Sequence, residues 1–136
     1  MSEPTLVASI LCEDILPSTL IDGRITLYRV LFDLTAGRFP ARAYRLFAVN
    51  LWRGGHGEYS GRVQIVTPSG QIAAQAESTF HARPEGHHAQ IVRFDDLVLP
   101  EPGEYAVITA RNGQIVQTYT IVVADTGQTQ TEEDRS

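Results

Sequence analysis

The chain is predicted to fold as an all-β sandwich, and three observations carry that reading. Apolar and polar residues alternate at a period of two along most of its length, and no stretch longer than about ten residues shows the helical 3.6 period. Turn signals recur about every 8 to 12 residues, the spacing of short antiparallel strands. The 136 residues, 43% hydrophobic and 20% charged, match one globular domain with its own core. A chain of this size buries roughly two-thirds of its unfolded surface, so a core forms without staples. The expected arrangement is an antiparallel sandwich of about 7 to 9 strands.

The first strand is expected over Thr5 to Cys12, ended by Glu13, Asp14 and a loop through Pro17, Ser18 and Thr19. A second follows over Arg24 to Leu34, and the loop Thr35 to Pro40 separates it from a third over Ala43 to Trp52. Arg53-Gly54-Gly55-His56-Gly57 reads as a flexible loop, because three glycines invite positive φ. Gly61 to Thr67 and Gln71 to Phe80 form a hairpin across Pro68-Ser69-Gly70, where proline presets φ and glycine supplies the left-handed position. In its second arm Ile72, Ala74, Ala76 and Phe80 share one face, opposite Gln71, Gln75, Glu77 and Thr79. After a loop over Ala82 to His87, the next strand runs from His88 to Leu99 with an interruption at Asp95-Asp96. Glu104 to Ala110 and Gln114 to Val123 close the series, joined at Asn112-Gly113, the strongest short-range hairpin signal.

The stretch from Leu97 through Pro100-Glu101-Pro102-Gly103-Glu104 to Tyr105 and Val107 resembles the tyrosine corner of immunoglobulin-like domains. Val107 stands where that fold has its second cysteine. The sandwich is therefore expected to be immunoglobulin-like without a disulfide, its core built on Tyr105, Val107, Ile121 and Trp52. That architecture serves binding, adhesive and enzymatic proteins alike, so it carries no function by itself. Residues 1–124 are read as a single domain, and 125–136, where no apolar residue remains, as a disordered acidic polar tail.

The net charge of -5 opposes nonspecific binding to nucleic acid or acidic membranes, which draw on accumulated positive charge. Its distribution is uneven. Residues 24 to 62 hold seven arginines against Asp33 and Glu58, while the flanking segments are acidic and lysine is absent throughout. All-arginine usage fits a codon bias; the functional alternative is an arginine-bearing interface with an acidic surface, including that of a second copy. Met1-Ser2-Glu3-Pro4 carries no basic residue, and apolar runs such as Leu6 to Cys12 fall short of the roughly 20 residues a membrane span needs. With one cysteine, Cys12, neither an intrachain disulfide nor a multi-cysteine zinc site is possible. A cytoplasmic setting, with no membrane and no nucleic-acid partner, is expected.

Catalytic signatures are weak. Cys12 lies beside Glu13 and Asp14, whose charge would raise a thiol's pKa, and the sequence pairs Glu13-Asp14 and Asp95-Asp96 diverge on extended backbone. No nucleophile elbow, P-loop or dinucleotide fingerprint is present. His81, His87 and His88 with Glu85 share one region, yet adjacent histidines on a strand point apart, so no metal site and no cofactor is expected. The chain is read as not an enzyme.

Several pieces taken together identify a resemblance. They are the opening Ala8-Ser9-Ile10-Leu11-Cys12-Glu13-Asp14-Ile15, then Gly23-Arg24-Ile25-Thr26-Leu27, Phe39-Pro40 and Gly57-Glu58-Tyr59. Val63-Gln64-Ile65-Val66-Thr67-Pro68-Ser69-Gly70 and Pro102-Gly103-Glu104-Tyr105 complete the set. In this order they are similar to a bacterial family of small, single-domain all-β proteins, a domain of unknown function. The resemblance spans roughly residues 8 to 123. It implies an all-β fold and no reaction or ligand.

The second and third strands are apolar on both faces. Ile25, Leu27 and Leu31 oppose Tyr28, Val30, Phe32 and Leu34; Phe47, Val49 and Leu51 oppose Tyr44, Leu46, Ala48 and Trp52. A sandwich strand normally keeps one face polar, so the second face needs a cover from this chain, a face switch at a bulge, or a protein partner. The function expected is a noncatalytic protein-interaction or assembly module forming a homodimer through Tyr28, Tyr44, Trp52 and Arg53, residue types that anchor interfaces. The alternative is a small-ligand or metal-binding module whose end loops recognise the ligand with His56 and Tyr59.

Overall fold

Alternation and turn chemistry set the strands, and partner availability sets their lengths. The computed structural model describes residues 3–17 and 25–126. Within them lie β1 (Thr5–Pro17), β2 (Ile25–Leu31), β3 (Leu34–Ala36), β4 (Ala41–Arg53) and β5 (Gly57–Val66). β6 (Ile72–Ala82), β7 (His87–Leu99), β8 (Gly103–Arg111) and β9 (Gln114–Asp125) follow. The described residues make two sheets, ordered β2-β1-β4-β7 and β3-β9-β8-β5-β6. Neighbours are antiparallel except β3 and β9, which run parallel. The chain is all-β, with one buried free cysteine, Cys12.

The two hairpin signals act as their chemistry requires. Gly70 (φ 93°) donates to Thr67 O at 2.9 Å and Thr67 N donates to Gln71 O at 2.7 Å, closing the β5–β6 turn. Asn112 (φ 48°) and Gly113 (φ 82°) both take the left-handed conformation of a two-residue hairpin turn. Asn112 also ties that turn to β5: its N–H donates to Ser60 O, and its Oδ1 accepts from Ser60 N, both at 2.8 Å.

Several boundaries move where a partner strand is available. β1 does not stop at Cys12, because Leu11 to Pro17 pairs with β2; Ser18 and Thr19 of the expected loop lie outside the described residues. β5 begins at Gly57, inside the run read as a loop, since Gly57 pairs with Ala82; Gly54 and Gly55, at φ 73° and 87°, make the turn. β7 continues through Asp95-Asp96, pairing with β4 from Ala41/Leu99 to Arg53/His87, but there Asp96 takes a positive φ and the inward face passes from Gln90, Val92 and Phe94 to Leu97 and Leu99. Strand β9 reaches Asp125, and the expected tail from residue 127 onward lies outside the described residues.

The core fills the space between the sheets with Leu11, Leu46, Val63, Ile65, Phe94 and Leu97, and with Tyr105, Val107, Ile121 and Val123. Tyr105 is fully buried, and its hydroxyl donates to Glu101 O at 2.6 Å while accepting from Glu101 N at 3.2 Å. One side chain thus satisfies two backbone groups of the turn ahead of its own strand. Tyr105→Phe keeps the ring and removes both bonds. It is expected to cost about 1–2 kcal/mol in urea unfolding at an unchanged m-value.

The doubly apolar strands receive most of their cover from within the chain. β4 turns Leu46, Ala48, Asn50 and Trp52 to the core. β1 pairs with β4 through Thr5 to Cys12 and with β2 through Leu11 to Pro17, so the first sheet curls. The curl carries Ile25 and Leu27 to a cavity shared with Ala8, Ile10, Val49 and Leu51. As a result Val49 keeps only 6% exposure on the outward side of β4. Phe47, next to it, lies near the guanidinium groups of Arg45 and Arg93, 5.9 and 6.0 Å from its ring centre.

Candidate interaction surface

Two aromatic side chains escape that cover and line one cleft. Tyr28 stands on β2 opposite Asp14, and Tyr44 stands near the start of β4; they are 46% and 74% exposed and line one cleft of about 510 Å³. The strands that carry them are not neighbours, since β1 lies between them. Glu13, Asp14, Arg29 and Arg45 share the cleft, with Leu31, Leu34 and Leu46 also lining it. Arg29 Nη1 bonds Glu13 Oε2 at 3.2 Å, and Arg45 Nη2 bonds Asp14 Oδ2 at 3.1 Å. Both pairs are solvent-exposed and contribute at most about 1 kcal/mol each. Their effect is positional, holding two guanidinium groups beside two phenol rings.

Trp52 does not belong to this face, contrary to the expectation from its strand. It is 1% exposed and points to the core side of β4. Its indole Nε1 donates to Gln90 Oε1 at 2.9 Å, and Gln90 Nε2 donates to Gly61 O at 3.0 Å and to Ser78 O and Oγ at 2.9 Å. Phe80 stacks on Trp52 at 5.2 Å, and Tyr59 and His88 stack on Phe80 at 6.3 and 5.1 Å. An indole whose N–H meets a buried amide is a core element. Arg53 is also separate from the tyrosine cleft, lining a crevice with Glu3, Val7, Gly55 and Pro84.

The end-loop residues are divided in the same way. His56 lines a cavity with His81, Arg83 and Glu85, whereas Tyr59 packs into the Trp52 and Phe80 cluster. No three His, Cys, Asp or Glu side chains among the described residues gather closely enough to hold a metal ion. His88 has its pKa pushed below the usual imidazole value by burial and then by the Arg83 charge. The Cys12 thiol is pushed up, mainly by burial, with a backbone hydrogen bond at Asp14 opposing and the Asp14 charge adding to the rise. That direction is opposite to the activation a nucleophilic thiol needs.

Gln90, Gly61, Arg29 and Arg45 were not singled out in the sequence. The parity of β7 held the signal for Gln90: it shares the inward face with Val92 and Phe94. A polar residue at an inward position implies a buried partner. For Arg29 and Arg45 the sequence held none, since their carboxylate partners lie 16 and 31 residues away.

The model of a family of unknown function (DUF6941) matches residues 7–124. No curated protein and no solved structure matches the chain.

Proposed function

The chain belongs to the DUF6941 family, and we propose from its own surface that it is a noncatalytic protein-interaction module that associates with a second copy of itself. One observation carries the reading: the Tyr28 and Tyr44 cleft holds two acids and two arginines around two exposed aromatics. A patch with both signs in equal number is self-complementary across a twofold axis, where Arg29 and Arg45 can exchange Glu13 and Asp14 for their copies. Tyrosine and arginine are also the residue types that dominate interface energetics.

The fold is read as a variant of the immunoglobulin-like sandwich, a scaffold suited to docking by its faces and edges. This rests on β4 beside β7 in one sheet, β9-β8-β5 in the other, β3 parallel to β9, and Tyr105 bonded back to Glu101. Light scattering over a hundredfold concentration range is expected to show a dimer that dissociates on dilution. Tyr44→Asp places a charge at the centre of the contact and is expected to weaken the dimer by about 2 kcal/mol, roughly thirtyfold in Kd. A monomer at every concentration refutes the proposal.

A further inference from the structure

The second sheet ends in an edge that the chain fills only in part. β8 pairs with β9 along its length, but β3 pairs with it only at Val123, Ala124 and Asp125. Among the described residues, Gln114 to Ile121 has a strand on one side alone. Val122 reveals which backbone groups face the gap, because its N–H donates to Asp33 Oδ1 at 3.0 Å. The β8–β9 register is unbroken from Val123 to Gln117. Orientation alternates along a strand, so Thr120 and Thr118 turn their N–H and C=O groups the same way. The Asp33 carboxylate stands in for a neighbouring strand's carbonyl at Val122, and among the described residues the two threonines have no such substitute.

The edge carries one guard, a bulge near its start where Val116 is left unpaired between Ile115 and Gln117, and lacks the others. Exposed edges are normally protected by charge, proline or a bulge. β2 carries Arg29, β6 carries Glu77, and β7 carries Arg93, Asp95 and Asp96. Gln114 to Ala124 has no charged residue, no proline and no glycine, and is rich in valine, isoleucine and threonine.

Beside this edge runs a groove of about 450 Å³ whose other wall is formed by Ile10, Leu11, Val30 and Phe32, the last 78% exposed. The Ser9 and Tyr119 hydroxyls are neighbours in it. They do not form a hydrogen bond of good geometry, and each oxygen is buried without another partner. Among the described residues, Asp33 is the sole charged one lining the groove.

We propose that this groove accepts an extended peptide strand from another protein, bonded through its backbone to Thr118 and Thr120. The ligand is an uncharged segment with β-branched or other apolar residues at alternate positions, which turn onto Ile10, Leu11 and Val30. The groove has β9 on one side and β1 with the end of β2 on the other. It therefore admits a lone strand and excludes the β9 of a second copy, which would bring its own β8. This site meets the tyrosine cleft only at Leu31, which lines both, and shares none of its charged or aromatic residues.

The probe is a fluorescein-labelled Thr-Val-Thr-Val-Thr-Val-Thr peptide, read by fluorescence anisotropy, with a version N-methylated at alternate residues as control. Saturable binding of the first, loss of binding by the second, and slowed hydrogen exchange at the Thr118 and Thr120 amides are expected. Thr118→Pro removes an edge donor and is expected to weaken binding at least about tenfold, while Tyr44→Asp leaves it unchanged. If circular dichroism shows that Thr118→Pro does not fold, Thr118→Lys and the exchange data decide. Absence of saturable binding, equal binding of the N-methylated peptide, unaltered amide exchange, or a β9 variant that abolishes the dimer overturns the proposal.

Discussion

Trp52→Ala is expected to destabilise the fold by about 3–5 kcal/mol, a large share of the roughly 5–15 kcal/mol that holds a domain together. Two losses combine. The first is the ring itself, fully buried and stacked on Phe80 at 5.2 Å, whose removal leaves a cavity that the sheets close only partly. The second is the Nε1 donor, without which Gln90 Oε1 loses its 2.9 Å partner in a dry site. Trp52→Phe separates the two, since it retains most of the ring and orphans only the amide oxygen, at an expected cost of about 1–3 kcal/mol. Trp52 is the chain's one tryptophan, so unfolding of these variants is followed by far-ultraviolet circular dichroism in urea. A cost for Trp52→Ala below about 1 kcal/mol would show that the cluster is not anchored there.

Gly61→Ala is expected to cost about 3 kcal/mol although it adds a single methyl group. The backbone at Gly61 does not need glycine for its conformation; the constraint is the Gln90 carboxamide, whose Cδ would lie 2.7 Å from the new Cβ. Gln90 cannot swing away freely, because its Nε2 bonds Gly61 O and Ser78 O and its Oε1 takes the indole proton. Displacing it breaks bonds on β4, β5 and β6 together. Most of the cost should therefore vanish when the carboxamide is removed. In a double-mutant cycle with Gln90→Ala, Gly61→Ala is expected to become nearly neutral, giving a coupling of about 2 kcal/mol or more. An unchanged cost in that background would place the clash elsewhere.

The separation of Trp52 from Tyr44 shows where reading the strand alone stops. Strict alternation over eight residues would put both on one side of β4, but the inward face passes from Ala41 and Ala43 to Leu46, Ala48, Asn50 and Trp52 across Tyr44-Arg45, opposite the positive φ of Asp96. Tyr44 therefore lies between core-facing Ala43 and the switch, and remains 74% exposed; Trp52 sits where β5 and β6 supply Gly61, Ser78 and Phe80 around it. Parity names a face only as far as the next switch, and the pairing of β4 with β7 decides where that switch falls. The same limit applies to His56 and Tyr59, three residues apart, one facing the His81 cavity and the other stacked on Phe80.

Alternation, turn residues and composition were sufficient for the all-β class, the β5–β6 and β8–β9 hairpins, the burial of Tyr105, Val107 and Ile121, and the absence of a disulfide. These properties are local: period two, φ preference and residue hydrophobicity act within a few residues of where they are written. The tertiary structure alone decided that β1 serves two partners, that its curl covers Val49, and that Glu13 and Asp14 meet Arg29 and Arg45. It also left Thr118 and Thr120 facing a gap. Each of these depends on which strands pair across long separations, and a pairing choice is a sum over both strands and their cover. No single segment carries that sum in its own residues.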